Sequence, residues 1–404
     1  MKICSIIHAF SPFQFGGADI FAENIVEELS RRGYSQSVIS INPLKGDTCE
    51  RRPGLTVYRF HPMNVSTALR IGKAGLFRQG VWTALDIYSR YSYNKVRLIL
   101  EKEKPDVVHV HTPPDFTVSV FDALKDLNLP TVFTLQDYFL LCRRVVLLHG
   151  DARLCTDSNI NPLCKLYRMI TRNLTRAKID IVTSPSLFTL ELLKANGFFE
   201  NCSKYIVPNG INTGDFRRNN GKSKGAITFL YMGGLTRHKG VHILIKAFRR
   251  IENPNIRLQI VGRGVYEKAL KSLAGDDSRI VFYDNVPHGD TPKFYAAADV
   301  LVVPSIWYEV FGRVIVEAFS AGLPVISSDI GGMRELVKDG FNGFLFEPGN
   351  IEQLKESLLR IIADEQVLKK LSDNAYASRK EYEFSECVDK FIEIYKEAIR
   401  RRAG

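Results

Sequence analysis

The 404-residue chain has few cysteines. Seven thiols, odd in number and scattered, cannot build the disulfide framework of a small secreted domain. No apolar run reaches about 18 residues, so no segment reads as membrane-spanning. No small-residue cleavage site follows the short apolar start Met1–His8, which reads as a strand and not a signal peptide, so a reducing cytoplasm is the expected compartment. Acidic charge is in deficit: 55 Lys and Arg against 44 Asp and Glu leave a net +11. That balance calls for acidic partners, whether nucleic acid, anionic lipid or phosphorylated small molecules. What is present is ordinary globular material, 45% apolar and 25% charged, in a length that suits two domains.

Short Val- and Ile-rich runs alternate with helical patterns. Lys2–His8, Ser37–Ile41, Val107–His111, Thr131–Leu135 and Ile179–Ser184 form one series. Thr228–Met232, Arg257–Val261, Arg279–Tyr283, Val300–Pro304 and Pro324–Ser327 form a second. Strands alternating with helices predict βαβ units and mostly parallel sheets, an α/β chain. The polar, turn-rich run 217–225 separates the series, so residues 1–208 and 209–384 are expected as two Rossmann-like domains. Each opens on a strand, a glycine pair (Gly16-Gly17; Gly233-Gly234) and an amphipathic helix. Paired glycines there either turn the chain or let helix N–H groups approach an anion, and two such domains facing each other would make a cleft.

The first half carries the larger basic excess. Within Leu69–Lys104, Arg70, Lys73, Arg78, Arg90, Lys95 and Arg97 mix with Phe77, Trp82, Tyr88, Tyr91 and Tyr93. Such a segment suits peripheral contact with an anionic membrane, or equally helices with aromatics inward and solvated basic faces. The charge is spread over both halves without a nucleic-acid-binding module, so nucleic acid is not an expected partner.

The most informative stretch runs from Pro304 to Ile326. A buried strand ends at Ser305, a loop carries Glu309, a helix starts near Gly312, and Gly322-Leu323-Pro324 stops it. Glu317 then sits roughly 7.5 Å along the helix with its side chain tilted back toward the N-terminus, so both carboxylates can reach a ligand docked at that end. Glu317 lies among apolar neighbours, where a carboxylate needs hydrogen bonds that a polyhydroxylated ligand could supply.

In order, the chain shows Glu309/Glu317, Gly322-Leu323-Pro324-Val325, Gly331-Gly332-Met333-Arg334-Glu335 and Gly340-Phe341-Asn342-Gly343. Upstream stand Val207-Pro208-Asn209-Gly210, Gly233-Gly234-Leu235-Thr236-Arg237-His238-Lys239-Gly240 and Val261-Gly262-Arg263-Gly264. The first half adds Gly16-Gly17 and Asp106-Val107-Val108-His109-Val110-His111. Together these resemble the retaining glycosyltransferases of family 4, which use nucleotide-sugars and have the two-domain GT-B fold. The resemblance implies an acceptor-binding first domain, a nucleotide-sugar-binding second domain, and a last helix, 385–404, packed back on the first. It also implies that Glu317 binds the ribose, Glu309 the transferred sugar, and Lys239 with Arg237 the diphosphate. The base would be held around Asp284-Asn285-Val286, and Gly16, Gly17, Gly234, Gly262, Phe311, Gly312 and Arg313 would line the donor site. Gln136 and Asp137 stand where many members have His-Asp. No Asp-x-Asp occurs, in keeping with a metal-independent enzyme that relies on Lys and Arg. Gly234 stands where the family commonly has an arginine, and Arg237 is the nearby substitute.

The expected activity is therefore transfer of a hexose from a nucleoside-diphosphate sugar, UDP ahead of GDP, to a glycan or lipid-linked saccharide in surface polysaccharide synthesis. The enzyme would act in the cytoplasm at the inner face of the membrane, with no cofactor and no metal. Cys142, Cys155 and Cys164, with His149 between, lack the close pairing of zinc ligands, and His109 and His111 lack a third partner. Two other readings stay open. One is a non-catalytic nucleotide-sugar-binding protein of the same fold. The other is an NAD-dependent oxidoreductase, suggested by Gly262-Arg263-Gly264 and Asp284 but lacking the third glycine, where Glu267 stands.

Overall fold

A computed structural model describes residues 1–13, 16–44, 46–62, 87–111, 113–149, 153–156, 158–218, 225–284 and 286–403. The chain divides into two compact units. Met1–Leu147, Cys155–Val207 and Val388–Gly404 form the first, and Leu148–Leu154 with Pro208–Cys387 the second.

The first unit is built on β1 (Lys2–Ile6), β2 (Ser35–Ile41), β3 (Thr48–Arg52), β4 (Leu55–Phe60), β5 (Val107–Val110), β6 (Thr131–Thr134), β7 (Ile181–Ser184) and β8 (Ser203–Ile206). They lie in the order β3-β4-β2-β1-β5-β6-β7-β8, parallel throughout except for the β3–β4 hairpin. Strands β5, β6 and β7 are buried at every position, as an apolar run covered on both faces must be. Strand β3, Thr-Cys-Glu-Arg-Arg, is the polar edge and escapes a search for apolar runs.

Helix α1 (Gly17–Arg31) follows β1 with Gly16 as its N-cap and Asp19 in its first turn. Next come α2 (Arg90–Glu103), α3 (Ser119–Asp126), α4 (Pro162–Thr175) and α5 (Leu187–Ala195). On α2 the basic aromatic segment serves the fold. Tyr93 is buried and donates to Asp126 at 2.5 Å, Tyr91 meets Phe60 edge-on, Arg97 pairs with Glu101 at 2.9 Å, and Lys95 pairs with Asp47. Arg70, Lys73, Phe77, Arg78 and Trp82 lie outside the described residues.

The second unit holds β9 (Ile227–Met232), β10 (Ile256–Val261), β11 (Ile280–Tyr283), β12 (Val300–Val303), β13 (Val325–Ser328) and β14 (Gly343–Phe346). All are parallel, in the order β11-β10-β9-β12-β13-β14. Its helices are α6 (Val241–Arg249), α7 (Glu267–Ala274), α8 (Thr291–Ala297), α9 (Arg313–Ser320), α10 (Met333–Leu336), α11 (Ile351–Ala363) and α12 (Glu365–Ser378). The last helix, α13 (Phe384–Ala403), buries Phe391 and Tyr395 in the first unit against Phe21 and His109. Its Arg402 lies 3.0 Å from Asp180.

Candidate functional site

In an open parallel sheet, ligands bind beyond the carboxyl ends of the strands where the strand order reverses, because neighbouring loops there diverge to opposite faces. Each unit has one such point: between β1 and β5 in the first, between β9 and β12 in the second.

At the second unit's switch point, the loop after β9 ends in a single 3₁₀ turn, Arg237–Lys239, closed by Gly240 at φ 73°. A Cβ on Gly240 would lie 1.7 Å from the Pro304 carbonyl oxygen, so only glycine permits both the backbone angle and the approach of the loop after β12. Ile306 N–H donates to His238 O at 2.9 Å and ties the two loops. Lys239 Nζ thereby reaches Glu309 Oε1 at 2.6 Å, and Ser305 Oγ donates to the same oxygen at 2.8 Å. The Lys239 ammonium also sits 5.1 Å over the Trp307 ring. Burial alone would raise the Glu309 pKa. The charge and hydrogen bond of Lys239, with Ser305 and Trp307, outweigh it and hold the carboxylate below its ordinary range.

One and a half turns into α9, Glu317 is buried and partly partnered from within the protein. Tyr295 Oη donates to Oε2 at 2.7 Å, and Arg313 Nε lies 3.0 Å from Oε1. Side chains thus take part of the role that the sequence left to a ligand, and the rest of the carboxylate is open to one. Burial first, and Glu317 second, push the Tyr295 hydroxyl well above its usual range, so it is a permanent donor.

The other donor-side expectations divide. Arg237 is exposed, and Gly234 has nothing within 4 Å of where a Cβ would stand. Gly312 caps α9 at φ 111°. The Phe311 ring is buried in the core against Tyr382, so its backbone is what the loop can offer a donor. Val286 packs against the same core, and Asn285 lies outside the described residues.

Gly262 follows β10, a strand removed from the switch, and a Cβ there would lie 1.9 Å from Gly233 O. Gly264 likewise abuts Leu235 O. These glycines let two loops touch. A dinucleotide fingerprint would follow the central strand β9, and Glu267 pairs with Lys271 at 2.7 Å, so the oxidoreductase reading loses its footing.

The first unit's switch point holds residues that sequence reasoning missed. His8, just past β1, places Nε2 3.0 Å from Asp115 Oδ2 in the loop after β5, with both residues buried. Asp115 and Thr117 are both held at φ 67°, a left-handed backbone that non-glycine residues adopt at a cost and that clusters at functional sites. Burial lowers the His8 pKa, but the hydrogen bond and charge of Asp115, with Asp19 and Asp137 behind, raise it overall. Asp137, after β6, accepts from Phe139 N–H at 2.8 Å and is pushed up to about 6, chiefly by burial. Gln136 is buried beside it, and Gly16 at the head of α1 has nothing within 4 Å of where a Cβ would stand. Gly17 opens the same helix and is exposed.

His109 of β5 and His111 just after it are core residues. Their rings lie 3.7 Å apart, and His109 is held by Tyr395 at 2.7 Å and Thr134 at 2.6 Å. Cys142, Cys155 and Cys164 are free thiols. Among the described residues no helix is long and apolar enough to cross a membrane.

Residues 15–215 match the family model Glycosyltransferase Family 4, and residues 212–378 match Glycosyl transferases group 1. An uncharacterized glycosyltransferase of Methanocaldococcus jannaschii is 28% identical over 99% of both chains. A lipopolysaccharide 1,2-N-acetylglucosaminetransferase of Salmonella typhimurium is 27% identical over 55% of this chain and 64% of its own. The solved structure of Anabaena Alr3699/HepE in complex with UDP shares the fold at a TM-score of 0.74 and 20% identity, covering 98% of this chain and all of that one. The chain belongs to the family 4, group 1 glycosyltransferases and has their GT-B fold.

Proposed function

We propose that this glycosyltransferase transfers a hexose, with retention and without a metal ion, from a UDP-sugar to a glycan or lipid-linked saccharide acceptor of a surface polysaccharide, met at an anionic membrane surface. The observation that carries the reading is the Lys239–Glu309 pair at the second unit's switch point: a fixed cation and a fixed carboxylate presented at one spot. In this reading Glu317, oriented by Tyr295 and Arg313, accepts from the ribose hydroxyls, and Glu309 takes a hydroxyl of the transferred sugar. Lys239 and Arg237 meet the diphosphate.

As the anomeric carbon–oxygen bond to the phosphate breaks, the leaving oxygen gains negative charge, which these cations stabilise. The acceptor oxygen forms its bond on the same face of the sugar, and its proton passes to the leaving phosphate oxygen. That route needs no imidazole base, so Gln136 can serve by hydrogen-bonding a sugar hydroxyl. UDP is favoured over GDP because the related fold of Anabaena Alr3699/HepE was solved with UDP, and the Salmonella relative's lipopolysaccharide product supports the acceptor class.

The test is the melting temperature of the purified protein with UDP, GDP, ADP, CMP or NAD, each with and without EDTA. A ligand at about 100 times its dissociation constant stabilises by roughly 2.7 kcal/mol. The expected result is a rise with UDP that EDTA leaves unchanged. A rise with another nucleotide reassigns the donor, a rise abolished by EDTA sinks metal independence, and no rise at all points to a protein that has lost donor binding.

A further inference from the structure

Helix α4 inverts the usual amphipathic arrangement. Its inward face is polar and docks through hydrogen bonds onto the segment after β6. Tyr167 Oη donates to Phe139 O at 2.8 Å, Thr171 Oγ1 to Leu140 O at 2.7 Å, and Arg168 Nε to Leu141 O at 3.0 Å. The apolar side chains point the other way: Leu163, Leu166 and Met169 are 64%, 47% and 47% exposed. Single exposed leucines are commonplace, but three on successive turns make a stripe, and a stripe of that kind marks a contact surface.

The charge around the stripe says what kind of surface it fits. No Asp or Glu occurs on α4, while Lys165, Arg168 and Arg172 do, and Arg176 is its C-cap. At 100° per residue, Lys165, Arg172 and Arg176 fall within about 40° of one another, along one flank of the apolar stripe. Neither Arg172 nor Arg176 has a carboxylate partner among the described residues. Both line a cavity of about 250 Å³ at the end of the helix, together with Asn173, Asn201 and a single acid, Glu200. An apolar strip bordered by cations that have no carboxylate partner among the described residues, beside a pocket with two guanidiniums, two amides and one carboxylate, is complementary to a layer of phosphate headgroups over acyl chains. A protein partner would also need acidic groups in register, whereas a bilayer offers them everywhere.

We propose that α4 and the Arg172–Arg176 cavity are the face by which this chain lies on an anionic phospholipid bilayer. The leucines and methionine enter the headgroup boundary, and the two arginines take headgroup phosphate. The proposal rests on the membrane contact in the reading above and gives it a location away from α2, where Lys95 and Arg97 are paired with Asp47 and Glu101 and Arg90 and Lys102 lie over the rings of Tyr93 and Tyr58. The full chain has a net +11, so long-range attraction works in the same sense.

The experiment is flotation of the full chain with vesicles of phosphatidylcholine alone or of phosphatidylcholine with phosphatidylglycerol. It uses the wild type, Leu163→Ser/Leu166→Ser/Met169→Ser and Arg172→Glu/Arg176→Glu. All five positions are exposed, so both variants should keep the wild-type melting temperature, measured alongside. Wild type should float only with the phosphatidylglycerol vesicles, and added salt should release it. The charge-reversed variant should partition at least on the order of 10-fold less. The serine variant should lose stable flotation while keeping a weak, salt-sensitive association. Competition by inorganic phosphate alone, at an ionic strength where chloride does not compete, would show a free-phosphate site and overturn the bilayer assignment. Equal flotation of all three proteins would overturn this surface and leave a membrane contact elsewhere. No flotation of the wild type would sink the membrane contact itself, while the nucleotide panel decides the donor reading independently.

Discussion

The two switch points share a topology and differ in chemistry. In the second unit the ion pair is fixed: Lys239 and Glu309 are joined at 2.6 Å, and the carboxylate is held ionised below its ordinary range. In the first unit the charge is titratable. His8 is raised by Asp115, and Asp137 is pushed up to about 6, with Asp19 adding to both. Equivalent sheet ends can thus be furnished either with permanent charge or with titratable charge. The difference lies in burial against partner. Glu309 gains a permanent cation that outweighs its desolvation, whereas Asp137 gains only a backbone N–H and a distant histidine.

The largest expected effect comes from removing the fixed cation. Lys239→Ala should lower turnover by about 10²–10³-fold, the usual loss for a group that stabilises charge in the transition state. It should also leave Glu309, half-buried, without its counter-ion. Lys239→Arg, which keeps the charge, should recover part of the rate. Steady-state kinetics decide it: near-normal turnover by Lys239→Ala would remove the second switch point from catalysis.

A smaller effect, of opposite sign on stability, is expected at the first switch point. The folded state raises the Asp137 pKa from its ordinary 3.8 to about 6, so below about pH 4 the group is neutral in both states and costs nothing. As pH rises through about 6, the native chain must ionise a carboxyl that the unfolded chain ionises more easily. Stability falls by up to about 3 kcal/mol. Asp137→Asn, whose amide oxygen can still accept from Phe139 N–H, should therefore melt higher than wild type above about pH 6 and converge with it in acid. The gain should come with reduced transfer, the familiar exchange of activity for stability at a site that holds a group in an unfavourable state. His8 runs in the same sense: with its folded pKa raised, its stabilising contribution is present below about 6.5 and fades as pH climbs through the folded value. Superimposable melting curves for Asp137→Asn and wild type from pH 4 to 8 would show that the two switch points do not differ as described.

How far the sequence was legible follows the same division. Strands β5, β6, β7, β12 and β13 are four-residue runs, each with at least two adjacent apolar residues and all buried throughout, and pattern finds them. The edge strand β3, Thr-Cys-Glu-Arg-Arg, has no such pattern. In the second unit, Glu309, Gly312, Arg313 and Glu317 lie within one loop and one helix, so spacing placed them together. Lys239 was recovered because a recognisable glycine run precedes it. His8 and Asp115 stand 107 positions apart and meet only because β1 and β5 are neighbours in the sheet. Phe311 shows the converse limit: its ring lies in the core against Tyr382, and membership of a motif says nothing about which way a ring turns.

Tyr295 offers the finest test of the comparison, because it asks whether the second switch point is fixed by its ion pairs alone or also by neutral donors around them. Its hydroxyl is fully buried, donates to Glu317 Oε2 at 2.7 Å, and cannot lose its proton in any accessible range because burial and Glu317 both oppose the phenolate. Tyr295→Phe keeps the ring against Phe216 and removes only the donor. Glu317 then retains Arg313 at 3.0 Å but leaves one carboxylate oxygen buried without that partner, at a cost of about 1–3 kcal/mol. If Glu317 also accepts from the ribose, the lost donor frees a lone pair and loosens its rotamer. The variant should then lose stability while its nucleotide-induced melting shift changes by less than the shift lost in Glu317→Gln. Equal loss of the nucleotide shift in both variants would mean that Tyr295 itself belongs to the ribose contact, and the second switch point would then rest on a neutral donor as much as on its charges.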